Sequence, residues 1–425
     1  MQTSRTIIAI LWTSLTIWLA GCSANRPTEV NDDNPLPFIL ARGSEQFAPV
    51  LADQDGHRLQ IIYTQVDRDS ENHPHLRTYR YRVNPEEYYY PASVVKLPAA
   101  ALALEKLNQL AIAGLDRDTW LLIDSTWSGQ TSAYNDDTSP TSLPSIGHYA
   151  HKALIVSDND AFNRLYDFLG QETLNQSLWD KSCTSARFVH RLSIALSPQE
   201  NRHTGRCIFY DEQGVIHVDD QKYNPVDYDL PAVDYILGKG ELRGETVVME
   251  PKNFRHKNFI SLDDYHRLLI ALMMPEAVPE SQRFDLNDDD YLHLYRSMSM
   301  LPRESSNPAY DADHYWDSYV KFLMFGNSKE PMPDNIRIFN KVGLAYGFLI
   351  DNAYIVDFEH GVEFFLSAVI YVNANQILND GIYEYDQVGL PFLHHLGQAV
   401  YEYDRARPRQ NQPDLTRYKF DYGSK

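Results

Sequence analysis

YYYPASVVKLPAAALALEKL, residues 88–107, sets a serine and a lysine three positions apart, directly behind a proline and at the head of a run of strong helix formers. Pro91 cannot continue a strand and forces a turn. A helix over 93–108 is expected to follow, with Ser93 at its N-terminal end. Free backbone N–H groups and the helix dipole favour negative charge there. The i to i+3 spacing puts Lys96 on the same face as the Ser93 hydroxyl. An ordinary buried helix could carry the same residues. The chemical reading is that burial and a neighbouring positive charge lower the Lys96 pKa, so that its neutral amine takes the serine proton.

A lone serine–x–x–lysine arises by chance roughly once or twice in a chain of this length. Ser318-Tyr319-Val320-Lys321 repeats it within the pattern of an aromatic helix, where a serine hydroxyl bonds back to the helix or faces solvent. Downstream context separates the two. Ser157-Asp158-Asn159 falls between two helical stretches, and its serine and asparagine are spaced to face one cleft. Ser157 would relay a proton and Asn159 would hold a substrate amide. The same triplet also suits a helix N-cap, and Ser305-Ser306-Asn307 is a similar cluster. Lys341-Val342-Gly343 stands on the first of three late strands. Lys341 suits a substrate carboxylate, Gly343 permits close approach of substrate backbone, and Leu344 would supply a strand N–H to an oxyanion.

YPASVVKLP, SDN and KVG, in that order, resemble the signatures of the penicillin-recognising serine hydrolases, the class A β-lactamases and D,D-peptidases. The PASxxKL context and the full SDN are most similar to class A. The resemblance covers most of residues 35–405 and implies an acylated nucleophile at Ser93, with Lys96 as its base or proton relay. It further implies a proton shuttle at Ser157, and a role for Asn159 in fixing Lys96 and the substrate side chain. Lys341 becomes the carboxylate-recognising group, and the Ser93 and Leu344 N–H groups form an oxyanion hole. Three features depart from the pattern. Val342 replaces a hydroxyl residue, which removes one bond to a substrate carboxylate. The deacylating glutamate has only Glu200, in LSPQENRHTG, as a candidate, and a surface-loop role fits Glu200 equally well. The stretch between SDN and KVG is also unusually long.

The rest of the chain sets bounds. Its 425 residues suffice for one large domain or two coupled ones, and the net charge of −20 argues against a nucleic-acid partner. A short positive start at Arg5, an apolar run over 7–19 and Leu19-Ala20-Gly21-Cys22 resemble a bacterial lipoprotein signal. Residues 1–21 then read as a cleaved signal and Cys22 as a lipidated N-terminus on a tether over 22–36. This implies an envelope protein facing the periplasm, and Ser23 favours sorting to the outer membrane. In such an oxidising compartment Cys183 and Cys207 are expected to pair, closing a loop of about 25 residues with about 3 kcal/mol of stabilisation. There is no CxxC or HExxH, and DLNDDD (285–290) lacks the glycine and glutamate of a calcium loop. No metal or cofactor is expected, and DLNDDD reads as the acidic first turn of a helix.

Two early strands (57–68, 76–83), a helical block and three late strands (335–347, 350–360, 361–373) precede a final helix. The fold class expected is α/β of the α+β type, an antiparallel five-stranded sheet flanked by helices with an inserted all-helical lobe. The domain over 37–405 divides into an α/β lobe (about 37–100 and 331–405) and a helical lobe (about 101–330). The latter carries an insertion near 201–256, and a loose polar tail occupies 406–425. The leading functional reading is a serine hydrolase acting on a β-lactam or related amide. A cell-wall D,D-peptidase or esterase with a peptidoglycan-like substrate is the second. A non-catalytic binding lipoprotein is the third.

Overall fold

Five runs that include β-branched and aromatic residues build one antiparallel sheet. A computed structural model describes the protein over residues 33–423 apart from Ser128, so the leader and Cys22 lie outside the described residues. Two short helices, α1 (Leu36–Arg42) and α2 (Ser44–Leu51), precede the hairpin β1 (Gln60–Arg68) and β2 (Pro74–Tyr81). Helix α3 (Lys96–Leu110), strand β3 (Trp120–Ile123) and helices α4 (Ile146–Ile155), α5 (Asn159–Leu169) and α6 (Gln171–Asp180) follow. Six short strands come next: β4 (Cys207–Asp211), β5 (Gly214–Asp219), β6 (Ile236–Leu237), β7 (Gly240–Arg243), β8 (Thr246–Val248) and β9 (Lys252–Asn253). Helices α7 (Leu262–Met273), α8 (Asp288–Ser299) and the four-residue α9 (Phe322–Phe325) lead to β10 (Ile336–Ala345), β11 (Phe348–Asp357) and β12 (Val362–Tyr371). Strand β13 (Ile377–Leu378) and helix α10 (Leu390–Ala406) complete the order.

The sheet order is β10-β11-β12-β1-β2, so the late strands pair with the early ones through β12 and β1, with Tyr63 opposite Leu366. β10, β11 and β12 are covered on both faces and read as largely apolar runs, whereas the edge strand β2 alternates with exposed residues. Ile62, Phe339, Ile350 and Phe365 face one hydrophobic cluster with residues of α3, α7 and α8. Their neighbours Ile61, Ile338, Leu349 and Phe364 face a second cluster with α1, α2 and α10.

The inserted lobe is not purely helical. Its β4–β5 hairpin adds to β3, while β6 pairs with β9, and β7 pairs with both β8 and β13. YWDSYVKFLMFG does not form the expected helix. Residues 317–320 are turns, and Leu323 and Met324 inside α9 have non-helical backbone. The Asp317 carboxylate accepts from Met332 N at 2.9 Å, and the Ser318 hydroxyl donates to Ser328 O at 2.5 Å, so both residues tie this segment to the following loop. The tail is not loose either. Leu415 and Tyr418 are buried, and the Tyr418 hydroxyl donates to Met273 O at 2.7 Å. DLNDDD does open a helix, with the Asn287 side chain accepting from Asp290 N at the head of α8.

The Cys183–Cys207 bridge is not formed, and both thiols are free and buried. Cys183 follows α6 and donates to Asp264 O in α7, whereas Cys207 opens β4 opposite Ile123 of β3. Each cysteine packs in its own neighbourhood. Burial pushes the Cys183 thiol up to about 12 and the Cys207 thiol higher still, so neither is a thiolate.

Candidate active site

Among residues 88–105 every side chain is buried except Ser93, which is partly exposed. Pro91 makes the expected turn. Ser93 then sits in a single 3₁₀ turn, Ala92–Val95, and the α-helix proper starts at Lys96. Ala92 holds φ at +49°, a left-handed conformation costly for a side-chain-bearing residue.

Lys96 is fully buried and stands at the centre of the site. Its Nζ lies 2.8 Å from Ser93 Oγ, 2.5 Å from Ser157 O, 3.0 Å from Ser157 Oγ and 2.6 Å from Asn159 Oδ1. Ser157-Asp158-Asn159 divides its duties. The Asp158 carboxylate caps α5 by accepting from Ala161 N at 2.8 Å, which leaves the serine and asparagine for the cleft. Lys341 Nζ donates to Ser157 Oγ at 2.9 Å from the opposite side, so Ser157 bridges the two lysines.

Burial first, then the Lys341 charge, holds the Lys96 ammonium well below its ordinary value. Burial likewise brings Lys341 down to about 7, with buried Asp351 opposing the shift. A neutral Lys96 amine has two hydrogens and one lone pair. Ser157 O and Asn159 Oδ1 only accept, so they take the hydrogens. The lone pair is left for a hydroxyl, and Ser93 Oγ is the nearer one. The arrangement can therefore deprotonate Ser93 and pass a proton through Ser157.

A model of the β-lactamase enzyme family matches residues 43–403. The chain belongs to that family. Solved structures that the chain is similar to include the β-lactamases of Sphaerobacter thermophilus (12% identity, TM-score 0.46, covering 87% of this chain and 98% of that one) and of Vibrio parahaemolyticus (12%, 0.46, 85% and 98%). A third is that of Burkholderia phymatum (15%, 0.43, 87% and 100%). No curated protein sequence matches the chain. Like its family, the protein is a serine hydrolase.

Several residues of this β-lactamase-family site depart from expectation. A Cβ on Gly343 would lie 2.3 Å from Pro91 O, so the glycine admits the protein's own nucleophile turn against β10 rather than a substrate backbone. Val342 is buried in the second hydrophobic cluster and brings no polar group to the cleft. Leu344 is 41% exposed and, with Ser93, lines a cavity of about 520 Å³. The decoy motif is structural: Ser318 and Lys321 are buried, and Lys321 Nζ donates to Asn340 Oδ1 at 2.7 Å.

Glu200 lies outside that cavity. It sits in a 3₁₀ turn and accepts from Ser197 N at 2.5 Å, a bond that holds its carboxyl below the usual range. The residue that this loop delivers instead is Ser193, whose hydroxyl accepts from Asn159 Nδ2 at 2.8 Å. Buried Arg191 pins the loop through Asp167 at 2.5 Å and His203 O at 2.7 Å. Sequence reasoning missed Ser193 because an isolated serine in a polar loop carries no signal. The described residues lining the cavity include no carboxylate. Four non-glycine residues of that lining, Ala92, Ser193, Tyr346 and Asn379, have positive φ, as does Ser157 behind it. Strain of this kind gathers at functional sites.

Proposed function

We propose that β-lactams acylate Ser93 and that the resulting ester is hydrolysed slowly. The observation that carries this reading is the buried Lys96 amine with its lone pair free for Ser93. Ser93 Oγ attacks the lactam carbonyl carbon as its proton passes to Lys96 Nζ. The Ser93 and Leu344 N–H groups receive the developing oxyanion. The C–N bond then breaks, and its nitrogen takes the Ser157 hydroxyl proton, which Lys96 replaces. Lys341 receives the substrate carboxylate. The absence of a carboxylate among the cavity-lining residues leaves the second half-reaction without an acidic-residue base. That same observation favours a second reading, a cell-wall D,D-peptidase or esterase whose acyl-enzyme is long-lived towards β-lactams.

Intact-mass measurement over time with a penicillin tests the proposal. The expected result is one adduct that persists for minutes or longer and is absent from Ser93→Ala. Failure of any adduct to form, with no loss of a chromogenic cephalosporin, would sink both readings and favour a non-catalytic binding protein. We further propose, on the lipoprotein-like leader alone, that Cys22 anchors the protein in the cell envelope. Palmitate labelling of the wild type but not of Cys22→Ser is the outcome required.

A further inference from the structure

Resting on the acyl-Ser93 reading, we propose that residues 232–254, within the insertion near 201–256, are a specificity element. This segment braces two tyrosine pairs, Tyr90–Tyr346 and Tyr383–Tyr385, into walls of the cleft that receive an uncharged ring on the acyl part of the substrate.

The cavity beside Ser93 holds these four tyrosines, and the described residues of its lining carry no charged side chain. Lys341 and Ser157, the carboxylate-binding and proton-donating groups, are not part of that lining. The cavity therefore extends from Ser93 away from the leaving nitrogen, towards the acyl side chain. Its walls are aromatic and neutral, which suits a ring and disfavours an anion.

The insertion holds both walls. On one side Phe254, fully buried, packs edge-on to Tyr346 at 5.3 Å and lies 6.0 Å from Tyr90. Tyr346 meets Tyr90 edge-to-face at 5.0 Å while holding φ at +55°. Lys252 lies 5.5 Å over the Tyr346 ring and is ion-paired to buried Glu241. The insertion also bonds the segment before the nucleophile, with Tyr88 N donating to Val233 O at 3.2 Å. On the other side β7 pairs in parallel with β13, and Glu241 accepts from Asn379 Nδ2 at 2.9 Å. Asn379 N in turn donates to the Tyr383 hydroxyl, and Gly347 N to the Tyr385 hydroxyl, each at 2.8 Å. One carboxylate, Glu241, thus ties Lys252 beneath Tyr346 to the loop that carries Tyr383 and Tyr385. The Tyr383 and Tyr385 hydroxyls are spent on backbone N–H groups, which leaves their rings for the ligand. An unbraced loop at φ +62° (Asn379) would not hold that spacing.

The test compares second-order acylation by benzylpenicillin, which carries a neutral ring, with 6-aminopenicillanic acid, which carries none. The wild type should prefer the ring. Tyr346→Ala should cut that preference roughly five- to tenfold, Tyr346→Phe should keep it, and Asn379→Gly, which releases the brace without backbone strain, should weaken it. If Tyr346→Ala does not fold, Tyr346→Gly relieves the positive φ and serves in its place. An unchanged ratio in a folded ring-less variant would overturn the proposal, as would stronger acylation by a carboxyphenyl penicillin than by benzylpenicillin. If no penicillin acylates Ser93, the proposed acylation by β-lactams fails separately. The ring site is then read by ligand-observed NMR with N-phenylacetylglycine against N-acetylglycine. Selective binding of the former, lost in Tyr346→Ala, supports it, and equal signals from both ligands refute it.

Discussion

Lys96 owes its chemistry to two circumstances that act together, full burial and a second ammonium reached through one serine hydroxyl. Each disfavours the protonated form. Acylation should therefore rise with pH as Lys96 loses its proton, then fall as Lys341, lowered to about 7, loses the charge that binds a carboxylate. A bell-shaped kcat/KM profile is the expected outcome, and Lys341→Arg should move the alkaline limb upward because a guanidinium stays charged. An unmoved alkaline limb in that variant would remove Lys341 from substrate binding. Ser193 marks where a base is missing. Ser193→Glu puts a carboxylate beside Asn159 Nδ2, and a positioned general base should speed loss of the acyl adduct by roughly a hundredfold. An adduct lifetime unchanged in the variant would show that water does not approach from that side.

At the scale of elements, the site depends on three junctions: a turn before α3, a loop before α5 and the free edge of β10. Gly343 sets the distance between the first and the third, since its missing Cβ is where the Pro91 carbonyl stands. Gly343→Ala should push β10 away from Ser93 and lower acylation by roughly a hundredfold, as misplacement of about 1 Å does. Its melting temperature should change far less than its acylation rate. Equal acylation by the variant would mean that Leu344 plays no part at the oxyanion. Within the sheet, Arg68 and Glu363 pair bidentately at 2.7 and 2.8 Å beneath buried Tyr354. Arg68→Met leaves that carboxylate buried without its cation and should cost about 3–5 kcal/mol in denaturant unfolding.

Across the whole molecule, the sheet buries polar groups as well as apolar ones. His266 is held between Thr64 Oγ1 at 2.8 Å and Ser367 Oγ at 2.6 Å, and burial lowers its pKa from 6.5 to about 3. His190 is lowered to about 3 and His148 to about 4 for the same first reason. The unfolded chain binds these protons first. Their contribution is complete above about pH 6.5 and drains away as pH falls from there towards 3–4. The melting temperature should hold a plateau near neutrality and decline below it, and His266→Gln should make that decline shallower. A wild-type melting temperature flat from pH 7 to 4 would contradict this.

The sequence by itself determined what depends on neighbours along the chain. Pro91 could only turn, and strand-length runs rich in β-branched and aromatic residues before and after a helical block pointed to one antiparallel sheet flanked by helices. The order of SxxK, SDN and KVG singled out Ser93 and Lys96 over Ser318 and Lys321, and the fold brings the first pair together with Ser157 and Asn159. What depended on approach through space stayed hidden. Glu200 and Ser193 lie seven positions apart in one polar loop, and only the Arg191–Asp167 pin decides which reaches Asn159. Cys183 and Cys207 were separated by the packing of α6 and β4, not by their spacing. Tyr418 looked like part of a polar tail until its ring packed against Tyr295 and Tyr354. Burial and long-range contact arise only when the chain is folded, and they decide which of several chemically suitable residues is used.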